Sequence, residues 1–149
     1  LSDTFKTMTV ARTTRFALGW LALSALQLGF WALFAPQSFF DNFPGFGRTW
    51  TAVDGPFNEH FVRDFGALNL ALAVLLIAAA IRLSRDLVSV AAIASLVWGV
   101  PHVIYHLANT DGLATSDVVA SVGGLIFSVF LAAMLLVSAK KLDQPATSS

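Results

Sequence analysis

The run FGALNLALAVLLIAAAI (residues 65–81), the break RLSRD (82–86) and the run LVSVAAIASLVWGVPHVIYHL (87–107) decide the fold. Neither run contains Asp, Glu, Lys or Arg, and their lengths are 17 and 21 residues. Crossing ~30 Å of hydrocarbon takes roughly 17–25 helical residues. A five-residue break lets the second helix return only antiparallel to the first. The pair therefore reads as a membrane hairpin.

Two further apolar stretches flank it. One covers 16–34, opened by Arg12 and Arg15 and closed by Pro36; the other covers 118–137, closed by Lys140 and Lys141. The 19 residues of 16–34 exceed the ~7–15 residue core of a secretory signal, so that stretch also reads as a span. The expected architecture is an all-α membrane four-helix bundle, a single domain over 1–149, with spans 16–34, 65–81, 87–107 and 118–137.

Composition agrees. Of 149 residues, 56% are hydrophobic and 12% charged, and the mean hydropathy is +0.73. Soluble domains carry about twice that charged fraction, so the expected solvent is lipid. Without cysteine the chain has no disulfide, thiolate ligand or Cys nucleophile. No glycine-rich phosphate loop, zinc-protease signature, Ser-His-Asp order or nucleic-acid motif is present, and no internal repeat suggests an inverted-repeat transporter.

Charge sets the expected orientation. Lys6, Arg12, Arg15, Arg82, Arg85, Lys140 and Lys141 share one side, leaving only Arg48 and Arg63 opposite. The positive-inside rule then places both termini in the cytoplasm of a multi-pass protein of the bacterial cytoplasmic membrane. Asp41, Asp54, Glu59, Asp64, Asp111 and Asp117 fall outside.

The segment 35–64 is long, extracytoplasmic on this topology, and aromatic-rich: Phe39, Phe40, Phe43, Phe46, Trp50, Phe57 and Phe61. Such rings either lie in the membrane interface or fold over the bundle as a lid, and the interfacial anchor is the favoured reading. Pro56 fits a first helical turn, so the second span is expected to start near residue 56 with a polar outer turn. There Glu59 and Arg63, and likewise His60 and Asp64, are spaced i,i+4.

The third span carries His102 and His106 at the same spacing, in a stripe with Trp98, Tyr105 and Asn109, beside the helix-kinking Pro101. Because the second span runs inward and the third outward, all three histidines reach one end together with Glu59, Arg63 and Asp64. Ionisable groups near hydrocarbon are costly and mark sites or partners. His60, His102 and His106, with Glu59 or Asp64, are a reasonable ligand set for zinc, copper or non-haem iron; haem with His102 or His106 axial is the alternative cofactor. A small ligand is a third occupant. Against these stands a polar network that only locks helices together, since H-x-x-x-H without the glutamate of H-E-x-x-H is a weak motif.

The remaining polar residues have plainer readings. Ser24, Gln27 and Asn69 are expected to bond between helices, Asn58 shares a face with Asn69, and Thr115, Ser116 or Asp117 caps the fourth span. Ala120, Gly124, Ser128 and Ala132 form a small-xxx-small ladder suited to close packing, within the bundle or against a second copy.

The stretches 39–45, 55–67 and Pro101-His102 to His106 resemble uncharacterised small four-span bacterial membrane proteins of the actinomycete type. The resemblance covers most of the chain, implies the same fold and topology, and carries no activity. Three functions stay open: a protein binding a metal, haem or small ligand; an accessory or scaffold subunit of a membrane complex; and a membrane enzyme using a His/carboxylate pair on an apolar substrate. The expected partners are the lipid bilayer and a homo-oligomer or larger complex, not nucleic acid.

Overall fold

A computed structural model describes the backbone of residues 2–142 and the side chains from Met8 to Leu142. The elements are α1 (Ser2–Phe34), α2 (Pro36–Asn42), β1 (Pro44–Gly45), β2 (Arg48–Thr49), a 3-10 turn (Ala52–Asp54), α3 (Glu59–Arg82), α4 (Arg85–Ala108) and α5 (Thr115–Leu142). Among the described residues four helices are long and apolar enough to cross a membrane: Met8–Phe34, Glu59–Arg82, Arg85–Ala108 and Thr115–Leu142. They contain the four expected spans and extend each by several residues into polar sequence.

Local chemistry explains the ends. Asn58 caps α3, its side chain accepting the Phe61 N–H at 3.3 Å, so the helix starts at Glu59 and not near Pro56. The expectation that Asn58 shares a helix face with Asn69 fails for the same reason. Leu83 ends α3 in the left-handed region, with its N–H bonded to the Ala79 carbonyl at 2.9 Å, and Ser84 starts α4. The turn between the two helices thus needs only Leu83 and Ser84. α4 runs through Pro101 as one helix.

Each long helix touches two neighbours, so the four form an up-down-up-down ring: α1 against α3, α3 against α4, α4 against α5, and α5 back against α1. The tightest seam is α1–α3. A Cβ added to Gly66 would sit 2.5 Å from the Leu33 nitrogen, and one added to Gly29 would sit 3.0 Å from the Gly66 carbonyl oxygen. Both ends of the seam are latched by arginine. Arg15 Nε donates to the Ala80 carbonyl at 3.3 Å, and Arg63 Nη1 donates to the Leu33 carbonyl. Each guanidinium meets the electronegative C-terminal end of the partner helix, where a cation is favoured.

Within the chain the small-residue ladder on α5 is closely packed at one end only. Ala132 is fully buried, but Cβ atoms added at Gly123 or Gly124 would meet nothing within 4 Å. Ser24, Asn69 and Ser128 likewise do not bridge helices. Ser24 bonds the Trp20 carbonyl at 3.0 Å, Asn69 the Phe65 carbonyl at 2.9 Å and Ser128 the Gly124 carbonyl at 3.0 Å, all four residues back on their own helix.

The core is confined to one half of the bundle. Leu18, Leu21, Leu76, Val88, Leu131 and Leu135, with intervening alanines, pack at the end that carries Arg12, Arg15, Arg82, Arg85, Lys140 and Lys141. The Lys6 side chain lies outside the described residues. At the opposite end, α2 and the β1–β2 hairpin cover the bundle.

Candidate functional site

Beneath that cover the bundle is hollow. A cavity of about 560 Å3 runs from the cap down to Trp20 and Phe127, within the ~300–1,000 Å3 usual for small-molecule sites. Its roof is Phe39, Phe43, Pro44, Trp50, Thr51 and Asp54, and its walls include Phe65, Trp98, His102 and His106. Ser24 and Gln27 face it from α1; Ala120, Ser121, Gly124 and Ser128 face it from α5.

The roof is built by ring packing. Pro36 opens α2 at its first turn, and the helix delivers Phe39, which is 4% exposed. Phe39 meets Trp31, Phe43 and Phe65 at ring-centroid distances of 5.8, 5.0 and 5.6 Å. Phe43 in turn meets Trp50 at 5.7 Å. Hydroxyl bonds stitch the hairpin to α2, from Thr49 to the Asp41 carbonyl at 2.9 Å and from Thr51 to the Phe39 carbonyl at 3.4 Å. The Arg48–Asp117 ion pair pins β2 to the start of α5. Asp117 is therefore a tether for the cap. The buried Trp50 indole nitrogen interacts with the same carboxylate without closing a well-formed hydrogen bond.

These inner aromatics pack on one another over the outer end of the bundle. Phe46 is different. It stands 99% exposed at the hairpin tip.

The two histidines of α4 form a ladder down the cavity wall. His106 lies 4.8 Å from His102, and His102 stacks on Trp98 at 5.0 Å. Trp98 meets Phe65 at 5.5 Å. Asp54, from the 3-10 turn, lines the same cavity. Tyr105 packs edge-on against His106 at 5.5 Å but is 46% exposed and does not line the cavity.

His60 does not join this set. Phe65 meets Trp98 across the α3–α4 seam, and His60 lies five residues further out along α3. Five residues also rotate a helix by about 140°, which turns His60 off the face that Phe65 presents. Its side chain is 81% exposed and pairs with Asp64 at 3.3 Å. Glu59 is occupied too, accepting from Arg63 Nε at 2.8 Å. Among the described residues no three His, Asp or Glu side chains come together as a metal site. The ligand set His60, His102 and His106 with Glu59 or Asp64 is thus not assembled.

Sequence reasoning missed Asp54, Gln27, Ser24 and the α5 small residues as cavity-wall groups. A signal existed. Trp20, Ser24, Gln27 and Leu28 on α1, and Ala120, Gly124, Phe127 and Ser128 on α5, share the spacing i, i+4, i+7, i+8, which places each set on one helix face.

The described residues form a bundle of four long helices, each long and apolar enough to cross a membrane, solid at one end and hollow at the other. Comparison with protein-family models, with curated proteins and with solved structures gave no match.

Proposed function

We propose that this is a multi-pass protein of a bacterial cytoplasmic membrane that holds one small amphiphilic molecule in its capped cavity. The observation that carries the reading is the composition of the cavity wall. Rings of Phe39, Phe43, Phe65 and Trp98 supply apolar surface, while His102, His106 and Asp54 gather the hydrogen-bonding groups at one end. A few convergent polar groups in an otherwise apolar pocket are the usual form of a small-molecule site. Both termini are cytoplasmic on this reading, because the solid end carries the clustered arginines and lysines. The cavity, beneath its aromatic-rich cover, then lies at the extracytoplasmic end of the bundle.

Native mass spectrometry of the protein extracted from its own membranes tests this. The wild type carries a bound small molecule, and His102→Leu with His106→Leu loses most of it while remaining folded. A folded wild type with an empty cavity, or equal occupancy in the double variant, overturns the reading.

A second reading, an accessory subunit docked on a larger membrane complex, draws on the groove between α3 and α4. It is lined by Leu68, Asn69, Leu72, Leu75, Ala94 and Val97. Stable monodisperse protein from expression alone argues against that reading.

A further inference from the structure

We infer that the cavity fills from the bilayer, through a slit between α1 and α5, and that its occupant is a membrane amphiphile inserting a single hydrocarbon chain. This rests on the ligand-binding reading above and adds the route and the chemical class.

The slit is visible in the exposure of the wall. Gln27 on α1 and Ala120 and Gly124 on α5 line the cavity, yet all three are exposed. A Cβ at Gly124 would meet nothing within 4 Å, so no side chain or backbone fills the gap there. Deeper in, Trp20 and Phe127 close the same seam edge to face at 5.8 Å between ring centroids. At the outer end the seam is bounded by the Arg48–Asp117 tether of the cap. An opening thus exists between a floor and a roof, in the flank of the apolar spans.

The internal gradient of the cavity matches that of a lipid leaflet. His106 lies about 3 Å along α4 from its outer end, His102 about 9 Å and Trp98 about 15 Å, at 1.5 Å per residue. Phe127 lies about 18 Å from the start of α5 by the same rule. One leaflet's hydrocarbon is about half of ~30 Å. A molecule lying with its polar end at His102, His106 and Asp54 therefore points its chain toward the bilayer midplane, parallel to the surrounding lipids. It would leave the leaflet sideways without turning over. A polar soluble ligand would gain nothing from the lower, aromatic-walled half.

The test uses the full chain in nanodiscs of phosphatidylcholine whose acyl chain carries a diazirine. After illumination, adducts are mapped by peptide mass spectrometry. Adducts are expected on the inner stripe, at Ser24 and Gln27 on α1 and at Ala120, Gly124 and Ser128 on α5. They should also appear on Phe16, Phe30 and Phe130, which are 65%, 53% and 55% exposed and serve as the lipid-facing reference. Gly124→Phe fills the slit, so inner-stripe labelling falls about fivefold against that reference. Ala120→Phe, one turn further out, is a second plug should the first fail to fold. Inner-stripe labelling at background while the reference residues react overturns lateral entry, as does labelling that neither plug reduces. If lateral entry fails but the native protein still carries its molecule, the ligand-binding reading stands alone. If chains enter a cavity that carries nothing in the native protein, the reverse holds.

Discussion

Helix α1 has two flanks, and each is bordered by glycines. Against α3, Gly29 and Gly66 bring backbones into contact, with no room for even a Cβ. Against α5, Gly123 and Gly124 face open space. Glycine content does not separate these seams; what stands across from the glycine does. Gly66 faces the Leu33 backbone, and the Arg15 and Arg63 latches hold the two helices in one register. On the other flank, Trp20 and Phe127 meet edge to face and prop α1 and α5 apart, so the small residues beyond them line a void. In a bilayer, helices associate through packing and hydrogen bonds and not through expulsion of water. A gap between helices costs little when lipid or a ligand can fill it.

The largest expected effect contrasts the solid and hollow halves directly. Leu76 is fully buried in the core, and Leu76→Ala should lower stability by about 2 kcal/mol or more, because a closed site cannot refill the volume. Leu125 lines the existing cavity, so Leu125→Ala only widens it and should cost about 1 kcal/mol or less. Denaturing-detergent titration of the purified protein measures both. Equal losses would mean that the upper half is packed in solution and that the cavity closes.

The second contrast sets glycine against glycine. Gly66→Ala forces a methyl group onto the Leu33 backbone and should destabilise by about 1–3 kcal/mol, the range for overpacking. Gly124→Ala meets no neighbour and removes a flexible residue from a helix interior, so it should stabilise by about 0.5–1 kcal/mol. The opposite signs in one titration are the signature. A loss at Gly124 as well would show that α5 packs against a second copy through that face.

The four long apolar helices and the hairpin between α3 and α4 were legible because they depend on length and polarity. The membership of the site was legible only in part. His102 and His106 fall on one helix, where spacing fixes their common face. His60 sits on another, and its direction depends on how α3 rotates to bring Gly66 against α1. That rotation is set by close packing with a helix distant in sequence, which no pattern within residues 59–82 encodes. Asp54 was hidden for a similar reason: it enters the cavity through the folded cap, and its own neighbours in sequence look like an ordinary loop. Serine and asparagine were misassigned because a membrane helix can satisfy such side chains from its own carbonyls one turn back.

The smallest effect concerns the cap, whose two faces differ as the flanks of α1 do. Phe39 is buried in the roof and Phe46 is 99% exposed at the tip. Phe46 and Gly47 form the two-residue turn of the hairpin at φ 59° and 73°, the left-handed pair that favours Asn-Gly. A phenylalanine in that region costs roughly 1 kcal/mol relative to a residue that adopts it readily. Phe46→Asn should therefore leave global stability unchanged and firm the hairpin locally. The Trp50 amide, bonded to the Phe43 carbonyl at 2.7 Å, reports on this. Its hydrogen exchange should slow by about fivefold, the equivalent of ~1 kcal/mol. Faster exchange in lipid, with slower exchange in detergent, would show that the Phe46 ring is held in the membrane interface. The strained turn would then be kept because the bilayer contributes to closing the roof.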